Sequence, residues 1–214
     1  MSLGRTTGSE APSPEHWPAK RDVFGVHVSA TTYAETVDRC IAAAKRGDSA
    51  VLDFMPVHGL ILGAQDQKFR RMMNRFDAVC PDGQPVRWAL NFFHKARLSD
   101  RVYGPETMWR LSRAAEEHSV PVYLYGSSPE VIEKLREKLL AAFPALKLVG
   151  CESPPFRPLT PEEDEAAVRR INDSRANVTV VIKFSDNDGW FIDRLANEKS
   201  SISHPAALDS MGAP

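Results

Sequence analysis

Pro121-Val122-Tyr123-Leu124-Tyr125-Gly126-Ser127-Ser128-Pro129 is a short apolar run that gives way to small residues and then to a proline-led polar stretch. Such a run, halted by Gly-Ser-Ser, reads as a buried strand ending in a turn. Ser128 is a good N-cap, and Pro129 suits the first helical turn, where its missing N–H costs nothing. The spacing therefore predicts strand, loop and then a helix from 130 to about 142. Backbone N–H groups at such a loop can hold a phosphate or diphosphate. The other reading of the same residues is an ordinary capped turn. One glycine is no dinucleotide fingerprint.

The same grammar recurs on both sides of this unit. Upstream, Phe76-Asp77-Ala78-Val79-Cys80-Pro81-Asp82-Gly83 is a second apolar run, stopped by Pro-Asp-Gly, with a helix expected from 84 to 94 that carries Val86, Leu90 and Phe93 on one face. Asp82 follows a strand end, where open α/β sheets bind ligands; it is either a reacting carboxylate or a helix cap. Earlier, 24–28 reads as a strand. Thr31 or Thr32 then caps a helix to about 46, and 50–54 is the next strand. Helical pattern returns over 57–62 and 67–76. Downstream, Gly104-Pro105-Glu106-Thr107 opens a helix to about 118. Strand 146–150, a helix beginning at Thr160-Pro161-Glu162-Glu163 and strand 178–182 complete the pattern. Strands alternating with helices imply βαβ units: an α/β, Rossmann-like fold, its mostly parallel sheet covered by helices on both faces.

Composition narrows the functional classes. The chain has 214 residues, 43% hydrophobic and 26% charged, with a formal net charge of -1. That describes a globular protein with a real core and no global basic field for nucleic acid. Its three cysteines, Cys40, Cys80 and Cys151, follow no metal-ligand spacing and read as reduced thiols, the first two in packing roles. No histidine pair has the spacing of a metal site, so no metal is expected. Nothing approaches the roughly 20 apolar residues that span a bilayer. Residues 1–20 read as a flexible leader, 21–183 as the α/β domain, and 184–214 as a loosely ordered tail.

Three further groups invite a functional reading. In Arg101-Val102-Tyr103-Gly104-Pro105-Glu106 the planar fork of Arg101 matches phosphate oxygens; the alternative is an ion pair with Asp100 or Glu106. Glu106 also suits the helix dipole. His58 follows the 50–54 strand and either enters the same cleft as Asp82 or is structural. Trp88 and Trp109 fall on helical faces, as core residues rather than sugar platforms.

Together these segments resemble the WecG/TagA/CpsF glycosyltransferase family over about 23–182. Asp77 to Gly83 resembles its "aD…pDG" segment, and Arg101 to Met108 its "R-hydrophobic-x-G-x-D/E" segment. Tyr123 to Ser128 resembles its strand-then-glycine loop, and Leu139 to Gly150 its "L…(Y/F)P-x-L-x-hydrophobic-x-G" segment. The resemblance implies an inverting, metal-independent transfer of an N-acetylhexosamine, typically N-acetylmannosamine, from a UDP-sugar to a polyprenyl-diphosphate-linked sugar. It serves cell-envelope or exopolysaccharide assembly and needs no cofactor beyond the UDP-sugar substrate. It makes Asp82 the catalytic base, and Arg101, Gly104, Glu106, Gly126, Ser127, Ser128 and His58 the substrate side. A cytoplasmic homo-oligomer with peripheral contact at the inner face of the membrane is the corresponding expectation. Two departures stand out. The second strand is followed by Asp53-Phe54-Met55-Pro56-Val57-His58-Gly59 in place of a Thr/Asn-containing motif. After Ile182 the chain reads Lys183-Phe184-Ser185-Asp186-Asn187-Asp188-Gly189 in place of a "G-x-P-(K/R)-Q-E" donor loop, and the usual basic C-terminal segment is unrecognisable. A catalytically impaired relative that binds a nucleotide-sugar or an assembly partner is the alternative.

Overall fold

The computed structural model describes residues 16–182 and the strand Phe191–Leu195. A β-hairpin comes first: β1 (Lys20–Val23) pairs antiparallel with β2 (Val26–Ser29). Phe24 and Gly25 connect them, both at positive φ (55° and 87°), the turn whose twist suits two right-twisted strands. The strand expected over 24–28 is thus corrected. Phe24-Gly25 is the turn, and the charged Lys20-Arg21-Asp22 that hid the first arm belongs to a strand. The leader expected over 1–20 overlaps the fold at its end, where Lys20 opens β1 and the Ala19 carbonyl accepts the Ala30 N–H (3.0 Å); residues 1–15 lie outside the described residues.

The α/β units follow as the patterning predicts. Thr32 caps α1 (Tyr33–Arg46), its hydroxyl accepting the Glu35 N–H at 3.2 Å. Next come β3 (Val51–Met55), α2 (Val57–Gln65), α3 (Gln67–Met73) capped by Asp66, β4 (Ala78–Pro81) and α4 (Gln84–His94). α5 (Gly104–Glu117), β5 (Val122–Gly126), α6 (Pro129–Ala142) and β6 (Leu148–Glu152) continue the alternation. α7 (Pro161–Asp173) starts with a complete capping box between Thr160 and Glu163, and β7 (Val178–Ile182) follows.

The main sheet has the order β4-β3-β8-β7-β5-β6, where β8 is Phe191–Leu195. β3 and β4 pair parallel, as do β7 with β5 and β5 with β6, while β8 runs antiparallel between β3 and β7. Five strands thus end on one edge, and the mixed but mostly parallel α/β, Rossmann-like architecture is observed. The strand Phe191–Leu195 falls within the stretch expected as a loosely ordered tail: its sequence carries two charged residues, and it pairs with β7 just before it and with distant β3. The rest of 184–214 lies outside the described residues.

Two apolar layers cover the sheet. On one face, Val37, Cys40 and Ile41 of α1, Leu111 of α5 and Ile132 and Leu139 of α6 pack on Leu52, Phe54, Leu124 and Val180. On the other, Leu60, Met73, Val86 and Leu90 enclose Val28, Met55 and Val79, and Ala167 and Ile171 of α7 cover Tyr123, Tyr125 and Val181. Each fully buried Val, Leu, Ile, Phe or Met among them contributes about 1.5–3 kcal/mol. One expectation fails here: Trp88 is exposed. Val86 and Leu90 point inward, and a residue two positions from each lies about 200° round the helix. Phe93 shares Val86's angular position but sits past the end of the core, edge-on to Phe24 at 5.8 Å. Trp109 is partly buried against Phe143, as expected.

Candidate active site

Pro81 ends β4 opposite Met55, and the next residue closes the pairing: the Asp82 N–H donates to the Met55 carbonyl (3.1 Å). Gly83 then turns the chain at φ 96° into α4. Gly83, not Asp82, is the N-cap of that helix, and no side chain caps it. The Asp82 carboxylate instead crosses to α5, where its Oδ2 accepts the Gly104 N–H at 3.2 Å. The local reading of Asp82 as a cap of its own helix is therefore corrected. A carboxylate at another helix's N-terminus gains the same dipole and N–H stabilisation, and this one is only 5% exposed.

The segment that supplies Gly104 is locked from several sides. The Val102 N–H donates to the Pro81 carbonyl (2.9 Å), and the Tyr103 N–H donates to the Tyr33 hydroxyl (3.0 Å). Arg101 lies over the Tyr103 ring, 4.6 Å from its centroid. Neither ion pair expected for Arg101 is seen among the described residues: Glu106 pairs with Arg110 (2.7 Å), and Asp100 accepts the Arg101 backbone N–H. Asp82, Gly104, Arg101 and Glu106 thus share one locality. His58, exposed in the first turn of α2, follows the strand paired with β4.

Gly126, Ser127 and Ser128 end β5, four strand spacings from β4, or about 19 Å along the same edge. Their polar groups are partly engaged. The Ser127 N–H donates to the Ile182 carbonyl (2.9 Å), and Ser128 Oγ accepts the Val131 N–H (3.2 Å) as cap of α6. Ser127, at φ 60°, offers its carbonyl to the Ser153 hydroxyl (2.6 Å). What remains for a ligand at this loop is the Ser128 O–H and the positive end of α6.

Two residues escaped the sequence reading. Tyr33 holds the Tyr103 amide and lies beneath the Arg110 guanidinium (4.4 Å); burial pushes its phenol up, against the lowering effect of that amide. An aromatic just after an N-cap carries no distinctive pattern. Gln84 opens α4 with its Oε1 buried and without a hydrogen-bond partner among the described residues; its nearness to Asp82 in sequence was the available clue. Asp53, noted in sequence with His58 where the Thr/Asn motif is replaced, is buried in the middle of β3, whereas His58 is exposed. Cys40 and Cys80 are buried packing residues, as expected; burial pushes the Cys40 thiol up to about 12 and Cys80 well above its ordinary value.

This arrangement offers a held carboxylate, a nearby cation and helix N-termini along one strand edge, the equipment for transfer between a hydroxyl and an anionic leaving group. A model of the Glycosyl transferase WecG/TagA/CpsF family matches residues 21–183. Such a match implies glycosyl transfer in cell-envelope polysaccharide synthesis, in general from a nucleotide-sugar donor to a lipid-linked acceptor. No helix among the described residues is long and apolar enough to cross a membrane. With three quarters of its length matched, the chain belongs to the WecG/TagA/CpsF family of glycosyltransferases.

Proposed function

We propose that this protein is an inverting, metal-independent hexosyltransferase that moves an N-acetylhexosamine, of the N-acetylmannosamine type, from its UDP-sugar to a polyprenyl-diphosphate-linked sugar at the inner face of the cell membrane. Asp82 is the general base. The acceptor hydroxyl attacks the anomeric carbon from the face opposite the diphosphate. Its proton passes to the Asp82 carboxylate as the new C–O bond forms and the bond to UDP breaks. A general base of this kind contributes about 10²–10⁴-fold. Arg101, beside Asp82, stabilises the departing diphosphate, and the N-terminus of α6, farther along the edge, contacts the rest of the UDP; Gly104 and Glu106 shape the wall that Asp82 faces. The observation that carries this reading is the buried Asp82 carboxylate, fixed by the Gly104 N–H at 3.2 Å.

Calorimetry against a panel of UDP-sugars, followed by turnover on a polyprenyl-diphosphate-linked acceptor, tests it. Asp82→Asn is expected to bind the UDP-sugar as wild type does and to lose transfer. Full turnover in that variant refutes the base. The departure at Lys183 to Gly189, where the donor loop is expected, favours a second reading: a family relative that binds a nucleotide-sugar or an assembly partner without turning over. Robust transfer by the wild-type chain eliminates it.

A further inference from the structure

Three consecutive amides at the entry to α5 are bonded outside that helix. The Val102 N–H donates to the Pro81 carbonyl (2.9 Å), the Tyr103 N–H to the Tyr33 hydroxyl (3.0 Å) and the Gly104 N–H to the Asp82 carboxylate (3.2 Å). Two of these acceptors belong to the β4 turn. The third, Tyr33, comes from α1, and no step of the proposed transfer uses it. The first N–H groups of a helix have no partner inside it, and Tyr103, the N-cap of α5, supplies no side-chain cap. Tyr33 provides from another helix an acceptor that the local sequence lacks.

Tyr33 stands on a fixed base. Thr32 caps α1 through the Glu35 N–H (3.2 Å), and Thr31 Oγ1 lies 3.1 Å from Thr36 Oγ1, which meets Cys80 Sγ of β4 at 3.9 Å. The first turn of α1 is thereby tied to the strand that leads to Asp82. Above, the Arg110 guanidinium covers the Tyr33 ring (4.4 Å) and is itself held by Glu106 (2.7 Å). The chain leading to the three amides is fastened from α4. Arg87 donates to the Leu98 and Ser99 carbonyls (3.0 and 2.9 Å), and Asn91 exchanges two hydrogen bonds with Leu98. Tyr33 takes over beyond them, at Tyr103.

We propose that Tyr33 is a positioning residue for the transfer step: its phenol oxygen fixes the Tyr103 amide, and through it the Gly104 amide that holds the Asp82 carboxylate. This deepens the proposed function and rests on Asp82 as its base. The Tyr103 Cα joins the two peptides, so releasing the first loosens the second. A carboxylate that takes a proton as a bond forms must keep its place to within about 0.5 Å, and a misplacement of about 1 Å costs up to about a hundredfold in rate. The same segment carries Arg101, stacked over the Tyr103 ring at 4.6 Å. One phenol thus sets both the base and the cation of the site.

Tyr33→Phe in the full chain tests it, because that change removes one oxygen and keeps the ring beneath Arg110. At saturating acceptor, kcat is expected to fall about tenfold to a hundredfold. KM for the UDP-sugar is expected to stay within about threefold, because the base acts only as the new bond forms. Amide exchange followed by NMR is expected to quicken about tenfold or more at both Tyr103 and Gly104, with the Val131 amide at the β5 turn as an unchanged reference. Arg110→Met uncovers the ring and keeps the phenol, so kcat is expected to fall only about twofold to fivefold. A larger loss there than in Tyr33→Phe makes ring packing the positioning element and overturns the inference. A rise in KM at wild-type kcat also overturns it, as do wild-type kinetics in Tyr33→Phe or a lowered kcat with Gly104 exchange unchanged. Absence of transfer by the wild-type chain counts against the proposed function, and exchange at Gly104 then judges the Tyr33 contact by itself.

Discussion

Two turns on one sheet edge look alike in sequence and differ in their physics. β4 ends in Pro81-Asp82-Gly83 and β5 in Gly126-Ser127-Ser128; each carries a glycine at positive φ, 96° and 111°, and each opens a helix. At Gly83 an added Cβ would meet only Pro85 Cδ at 3.8 Å, whereas at Gly126 it would fall 2.2 Å from the Ile182 carbonyl oxygen. The β5 glycine is there because the neighbouring strand passes against it, and the Ser127 N–H completes that contact. The β4 turn leaves its helix without a side-chain cap and sends its acid 22 residues along the chain to Gly104. One turn is closed by packing. The other spends its acid on holding a carboxylate in place, which is what a reacting group needs.

The largest effects separate chemistry from packing. Asp82→Asn keeps an acceptor for the Gly104 N–H and removes the base, so transfer is expected to fall about 10²–10⁴-fold with a near wild-type melting temperature. Asp82→Ala loses the same activity and also leaves a buried N–H unpaired, costing about 1–3 kcal/mol. Steady-state turnover beside urea melts of both variants distinguishes the two. If Asn is as unstable as Ala, the carboxylate is structural. Gly126→Ala comes next. The backbone must move to admit a methyl group against the Ile182 carbonyl, and urea unfolding is expected to show a loss of about 3 kcal/mol or more. Gly83→Ala has open space and only an unfavourable φ to bear, so about 1–2 kcal/mol is expected. Equal losses at the two glycines would erase the contrast.

How much of this was legible in the sequence follows from the range of each interaction. The five parallel strands, the helices between them and the caps at Thr32, Ser128 and Thr160 depend on residues within a few positions, and periodicity with cap chemistry finds them. β1 was hidden because Lys20, Arg21 and Asp22 lie in a hairpin separate from the main sheet, where charge is no penalty. β8 carries Asp193 and Arg194 among its five residues, which breaks the apolar run that marks the other strands, and one of its two pairings is with β3, far earlier in the chain. The bond from Gly104 to Asp82 and the bond from Tyr103 to Tyr33 close over 22 and 70 residues, and no local pattern announces either. Trp88 was misread because helical spacing fixes angular position, whereas burial depends on whether another element covers that side.

The smallest effects test what is left of the β5 turn as a donor site. Ser128 Oγ accepts the Val131 N–H, so the one thing it could offer a diphosphate directly is its O–H. Ser128→Ala removes the cap and that O–H, and is expected to cost about 1 kcal/mol of stability, with UDP-sugar affinity lowered severalfold at most, the worth of one hydrogen bond of about 1 kcal/mol. Ser128→Asp retains the cap, since Asp ranks with Ser at that position, but sets a negative charge at the end of α6 where the proposed leaving group is stabilised. Stability is then expected to hold while the dissociation constant for UDP-sugar rises roughly fivefold, the effect of about 1 kcal/mol of repulsion near the surface. Calorimetry at two salt concentrations checks the origin, because repulsion between exposed charges shrinks as the screening length shortens. If Ser128→Asp binds the donor as well as wild type does, the N-terminus of α6 plays no part in holding the diphosphate. The cationic contribution then falls to Arg101 on the β4 side, and the β5 turn is packing alone.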